Sequence, residues 1–152
     1  LIVHTEPDRD GDLRVLVGAD GSEGAFRAID TFADVADPAR CAVTVISAAT
    51  PTALPAGGAA GVGSVGEVAP ETLQRAREHA ERAATSLRDA GFRAEADVRT
   101  GPAARVLLDA LEDGPCDLAV VGARGLGRFR AKVLGSVSDR VVQRARATLV
   151  GR

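Results

Sequence analysis

The sequence predicts an α/β fold, in which a five-stranded parallel sheet carries helices on both faces. Short apolar runs rich in valine alternate along the chain with segments whose apolar residues recur at helical spacing, in the order β-α-β-α-β-α-β-α-β. Elements that alternate in this way form parallel sheets through right-handed crossovers. The chain has 152 residues, 45% of them hydrophobic, which suits one domain with a core of its own.

The first half of the chain contains two strand-like runs, with one helix between them and a longer helix after them. The first strand is predicted at residues 13–18 (LRVLVG) and the second at residues 41–47 (CAVTVIS). The helix between them is marked by Ala25, Ile29, Phe32 and Ala36 and is stopped by Asp37-Pro38. The longer helix begins at Pro70 and ends at Gly91. Proline at the start of a helix and glycine just past its end are the usual positions for these residues.

The second half repeats the alternation. Its first strand is predicted at residues 92–99, with Phe92, Ala94, Ala96 and Val98 on one side, and a helix follows from Thr100-Gly101-Pro102 to Gly114-Pro115. A buried strand at residues 117–121 (DLAVV) comes next. The last helix begins at Gly135-Ser136, and a short closing strand follows at residues 147–150. Residues 51–69, almost entirely Ala, Gly, Val, Pro and Ser, fit no element. Such a segment is predicted to be a loop over or beside a site, or a disordered one.

Composition excludes several classes of function. The net charge of −2 gives no general attraction to nucleic acid or to an acidic membrane surface, and no apolar run is long enough to span a membrane. No secretory signal pattern follows Leu1, so a cytoplasmic location is expected. Cys41 and Cys116 share no zinc-binding spacing with each other or with His4 and His79, and we interpret both as small buried hydrophobes.

Two strand ends carry glycine-rich loops suited to an anion. The first is Gly18-Ala19-Asp20-Gly21-Ser22; the second is Gly122-Ala123-Arg124-Gly125, separated by nine residues from Gly135-Ser136. Glycines let the backbone approach a ligand closely. The free N–H groups and positive dipole of a helix that begins at Ser136 favour a phosphate. Open parallel sheets bind their ligands at this carboxyl edge.

These motifs resemble those of the universal stress protein family. Gly122-x-x-Gly125-(nine residues)-Gly135-Ser136, directly after DLAVV, is similar to the family's nucleotide-binding signature. The family's opening strand and turn are similar to the segment RVLVGADGSEGAFRAI. Its third helix and fourth strand are similar to the segment TGPAARVLLDALEDGPCDLAVVGARGLG. The resemblance covers residues 13–150 and implies a Rossmann-like sheet of order 3-2-1-4-5, usually dimeric, that binds ATP when the glycine motif is complete.

The resemblance also implies a set of nucleotide-binding residues. The positions that contact ribose and phosphates are matched here by Gly122, Gly125, Gly135 and Ser136. Asp20 matches the acidic residue near the adenosine. Ala48, just past the second strand, matches the backbone that meets the adenine edge. Val137 is expected to offer a backbone N–H, and Ala19 and Arg124 lie in the same two loops. Mg²⁺ or Mn²⁺ is expected with the phosphates, near Asp20.

Alternatives remain open for several of these residues. Asp20 or Ser22 is also a good cap for the following helix, and Arg124, Arg128 and Arg130 also suit a solvated surface. His4 and His79 are read as surface residues. Residues 61–66 match the dinucleotide spacing G-x-G-x-x-G, but no strand precedes them closely, so we treat this match as chance.

The function predicted is an ATP-binding regulatory or stress-response module with an adenine nucleotide as ligand, cyclic nucleotide remaining open. Two other readings stay open: a nucleotide-free dimerisation or sensing domain of a larger protein, and an enzyme that slowly hydrolyses ATP or adenylylates a substrate. Residues 1–12, with the strand-like LIVHT, resemble the end of a preceding tandem domain, and 13–152 the domain itself. A homodimer or a tandem-domain partner is therefore expected.

Overall fold

The computed structural model describes residues 12–51, 68–123, 136–145 and 147–151. Their regular elements are, in chain order, β1 (Leu13–Gly18), α1 (Glu23–Val35), a 3₁₀ helix (Pro38–Arg40), β2 (Cys41–Ala49), α2 (Pro70–Asp89), β3 (Arg93–Thr100), α3 (Ala103–Glu112), β4 (Leu118–Gly122), α4 (Ser136–Arg144) and β5 (Thr148–Gly151). The strands form one parallel sheet in the order β3-β2-β1-β4-β5, as predicted.

The sheet separates two apolar clusters because side chains alternate between its faces. Val15 and Val17 of β1 join the cluster under α1 and α2, whereas Leu16 between them joins the cluster under α3 and α4. The first cluster is filled mainly by Ile29, Phe32 and Leu87, with the rings of Phe32 and Phe92 5.1 Å apart. The buried stripe of α2 is mostly alanine, which lets this helix approach the sheet closely: Ala76, Ala80, Ala83, Ala84 and Leu87.

Some predicted positions differ from the observed ones. β2 continues to Ala49 instead of ending at Ser47. Ala96, expected on the inner side of β3, is exposed because β3 is at the edge of the sheet, whereas Ala94 is buried. Gly91 follows α2 at a φ of 91°, as a helix-ending glycine does. Positions 52–67 of the predicted loop lie outside the described residues.

The two cysteines occupy different environments. Cys41 is buried at the start of β2, as predicted, whereas Cys116 is only half-buried. Burial raises the pKa of both thiols, so both stay protonated at neutral pH. None of the described helices combines the length and the apolar character that a membrane crossing requires.

Candidate functional site

The carboxyl ends of β1 and β4 lie side by side at the centre of the sheet, where the chain reverses the direction in which it adds strands. α1 and α2 cover one face of the sheet and α3 and α4 the other, so this edge is flanked by helices on both sides. Such a switch point leaves a crevice outside the strand ends. Both glycine-rich loops begin at this edge.

The turn after β1 is held by its own polar groups. Ala19 is buried and donates its N–H to the Ile46 carbonyl at 2.9 Å, so only its carbonyl faces the edge. Asp20 Oδ1 accepts the N–H of Ser22 at 2.9 Å. Ser22, not Asp20, is the N-cap of α1, with its Oγ accepting the Ala25 N–H at 3.2 Å. The second carboxylate oxygen of Asp20 has no hydrogen-bond partner within the described residues and remains available to a ligand.

Gly21 completes this turn at a φ of 76°, a left-handed conformation that favours glycine. The imidazole of His79, on α2, packs directly on it: a Cβ added to Gly21 would lie 2.4 Å from His79 Nε2. His79 is half-buried and not the plain surface residue that the sequence suggested. The only signal in the sequence is its place beside the buried Ala76 and Ala80 stripe.

Replacing Gly21 by alanine is expected to destabilise the protein by about 1 kcal/mol or more, because the left-handed backbone is unfavourable for any side chain. Urea unfolding measures this loss. Combining Gly21→Ala with His79→Ala should cost less than the sum of the two changes, since the imidazole no longer opposes the new methyl group. Gly114→Ala is the matched control, because a Cβ there meets nothing within 4 Å. An equal loss at both glycines would contradict the prediction.

The end of β2 contributes backbone groups. Ile46 accepts from Ala19 on the β1 side, and Ala49 accepts the N–H of Gly101 at 3.0 Å on the β3 side. Because backbone groups alternate along a strand, the amide and carbonyl of Ala48 point to the β1 side. Ala48 thus lies within β2, not past it, and its backbone faces the space beyond the last residue of β1.

The end of β4 lies against the first turn of α1. A Cβ on Gly122 would lie 2.7 Å from the backbone nitrogen of Ala25 and 2.8 Å from the carbonyl carbon of Gly24. Ser138, which the sequence analysis missed, is buried in α4 and donates its hydroxyl to the Gly122 carbonyl at 2.6 Å. This hydrogen bond fixes the first turn of α4 at the carboxyl end of β4.

α4 begins at Ser136, as predicted from the Gly135-Ser136 pair. Val137 packs its side chain into the cluster under α3 and α4, which leaves its backbone N–H as the group it can offer. Asp139 is exposed and accepts a hydrogen bond from Gln143. The other predicted loop residues lie outside the described residues: Arg124, Gly125 and Gly135.

A cavity of about 360 Å³ opens elsewhere, on the α3 face near the amino ends of β1 and β4. Two arginines line it: Arg99 is paired with Asp97 and Asp113, whose hydrogen bonds raise its pKa, whereas Arg14 is exposed. The described residues that line this cavity include neither Asp20 nor Gly122, so it is separate from the glycine-rich strand ends. In the described part of the chain, no cluster of three or more His, Cys, Asp or Glu side chains is arranged to hold a metal ion.

Comparison with known proteins gives a consistent result. The sequence model of the universal stress protein family matches residues 13–150. Universal stress protein Rv2624c of Mycobacterium tuberculosis is 29% identical over 86% of this chain, and the chain spans 44% of the length of that relative.

Solved structures share the fold. Universal stress protein UspA from Lactobacillus plantarum superposes with a TM-score of 0.66 at 20% identity, over 95% of this chain and all (100%) of that one. A universal stress protein in complex with cAMP gives 0.65 at 23% identity, over 92% and 97% of the two chains. An Arabidopsis thaliana member with AMP bound gives 0.61 at 18% identity, over 92% of each chain.

Proposed function

The chain belongs to the universal stress protein family, and from this premise we propose that it is a stress-response domain that binds an adenine nucleotide, with ATP as the ligand. The site is the carboxyl edge between β1, β2 and β4. Solved members with AMP and with cAMP support an adenine nucleotide as the class of ligand. In this proposal the residues of the site bind and orient the nucleotide, and its binding regulates the domain.

One observation carries this proposal. The 2.6 Å hydrogen bond from Ser138 to Gly122 holds the start of α4 directly at the carboxyl end of β4. The free N–H groups and the dipole of that helix end stabilise a phosphate. In this proposal the phosphate end of the site consists of Gly122 and the backbone groups of Ser136 and Val137. The motif residues Arg124, Gly125 and Gly135, which lie outside the described residues, complete it.

The other end of the site suits a nucleoside. The backbone of Ala48 faces the space beyond β1, where it can pair with a base edge, and the carbonyl of Ala19 borders the same space. Asp20 has a carboxylate oxygen without a partner in the described residues. This oxygen accepts from a sugar hydroxyl or meets the Mg²⁺ or Mn²⁺ that accompanies the phosphates.

Titration calorimetry with Mg-ATP, AMP and cAMP tests the proposal. We expect a dissociation constant for Mg-ATP in the micromolar range, about −8 kcal/mol. Asp20→Asn keeps an oxygen that accepts the Ser22 N–H but removes the negative charge. It should lower the affinity for Mg-ATP at least about tenfold, because a charged hydrogen bond or a metal contact is lost. If Asp20 meets the metal, the difference between this variant and the native chain disappears in EDTA.

Asp37→Asn is the matched control, because Asp37 makes the same kind of turn with the N–H of Ala39, at 3.0 Å, at the amino end of β2. It should leave affinity unchanged. Ser136→Ala keeps the backbone N–H groups of the helix end but removes a hydroxyl that can donate to a phosphate, and it should also weaken the binding of Mg-ATP. A folded native chain that binds none of the three nucleotides would overturn the proposal and favour a dimerisation or sensing domain; ATP turnover in excess of a blank would favour the enzyme.

A further inference from the structure

His79 packs on the turn after β1, and this contact leaves the polar atoms of its ring without partners among the described residues. It is half-buried on α2, and neither ring nitrogen has a hydrogen-bond partner within the described part of the chain. Its Nε2 edge lies on Gly21, one residue from Asp20, at the carboxyl edge of the sheet. A partly buried imidazole that leaves its donor and its acceptor unpaired is stabilised by a ligand that supplies both partners.

The order of the strands determines which part of a nucleotide meets this ring. The phosphate end of the proposed site is at β4 and α4, and the strands continue from there in the order β1, β2, β3. Neighbouring strands are about 4.8 Å apart, so the ends of β4 and β2 are separated by roughly 10 Å. A nucleotide with its phosphates at α4 therefore extends its sugar and base across β1 towards β2.

α2 packs on this second side, against β2 and β3. His79 reaches from α2 to Gly21 in the turn after β1, next to Asp20 in the chain. This is the side of the carboxyl edge towards which the base of such a nucleotide extends. The flat imidazole offers one N–H donor, one acceptor and an aromatic face, which match the edge and the face of a base.

We infer that His79 is a nucleoside-binding residue that contacts the base and sugar end of the nucleotide, on the wall of the site formed by α2. This inference rests on the proposed function, because the position of the phosphates orients the ligand. It adds a side chain of α2 to the nucleoside end of the site, beside the backbone groups of Ala19 and Ala48 and the carboxylate of Asp20.

Calorimetry with AMP and with Mg-ATP tests the inference. His79→Ala is expected to lower the affinity for both ligands by the same factor, about tenfold, because the contact that is lost is to the base and sugar, which both ligands share. His79→Gln, which keeps a donor and an acceptor, should restore affinity to within about threefold of the native value. Arg77→Ala is the matched control: it is exposed, two residues away on the opposite side of α2, and should change nothing.

Each outcome separates the two ideas. If the native chain binds both nucleotides and His79→Ala binds them equally well, the inference fails and the proposed function stands. A much larger loss for Mg-ATP than for AMP would place the ring at the phosphates and overturn the inference. A lower melting temperature with unchanged affinity would make His79 a packing residue only. If the folded native chain binds neither nucleotide, both ideas fail.

Discussion

A Gly122→Ala variant is expected to lose about 3 kcal/mol of stability or more, a large share of the roughly 5–15 kcal/mol that holds a domain of this kind folded. The new methyl group would lie 2.7 Å from the nitrogen of Ala25 and 2.8 Å from the carbonyl carbon of Gly24. Both atoms are backbone of the first turn of α1, which cannot move aside as the tip of a side chain can. Denaturant unfolding followed by circular dichroism measures the loss.

Gly151 provides a second site for the same test. A Cβ there would lie 2.4 Å from the backbone nitrogen of Ala28, one turn further along α1. Gly151→Ala should therefore be destabilised to a similar degree, whereas Gly114→Ala, which meets nothing within 4 Å, should not. A loss below about 1 kcal/mol in Gly122→Ala would show that α1 does not approach β4 as closely as the structure has it.

This packing changes the meaning of the glycine at the head of the motif. Gly122 has no positive φ, so it is required for the room it leaves and not for an unusual backbone conformation. That room is taken by α1. A nucleotide-binding defect in a Gly122 variant would therefore reflect a displaced α1 as much as a lost ligand contact, and Asp20→Asn and Ser136→Ala are the sharper tests of the site.

The fold was predictable because its signals are local. A valine run such as residues 13–18, the helical spacing of Ala25, Ile29 and Phe32, and the turn residues between them identify each element from its own segment. The strand order came from the resemblance to a family, and the structure confirms it. The two glycine-rich motifs follow strands that end at the edge which parallel strands share, so the sequence also predicts the carboxyl edge as the candidate place for a ligand.

The details of the site depend on contacts between distant segments and could not be predicted in this way. Ser138 follows Gly122 by 16 positions in the chain, and no spacing rule links a helix serine to a strand carbonyl at that distance. His79 meets Gly21 only because α2 passes over the turn after β1. Serine in the first turn of a helix and histidine beside an alanine stripe are ambiguous until the tertiary structure brings their partners close.

Phe32→Ala is the second large effect that we expect, at about 3–5 kcal/mol, from lost burial and the cavity left behind. Phe32 is 1% exposed, fills the cluster under α1 and α2, and has its ring 5.1 Å from that of Phe92. Val35, in the last turn of the same helix, is 69% exposed, so Val35→Ala is the matched control and should change stability by no more than about 0.5 kcal/mol.

Phe32→Ala is informative because Phe32 lies far from the proposed nucleotide site. α1 begins at the carboxyl edge, so Phe32, near its end, lies towards the amino edge of the sheet. At a temperature where Phe32→Ala is still folded, it should bind Mg-ATP as the native chain does, whereas Gly122→Ala, with the start of α1 displaced beside the nucleotide, should bind it less tightly. Weaker binding in both variants, each confirmed to be folded, would mean that affinity follows the rigidity of the whole domain. In that case the local geometry of the carboxyl edge would not be what sets the strength of nucleotide binding.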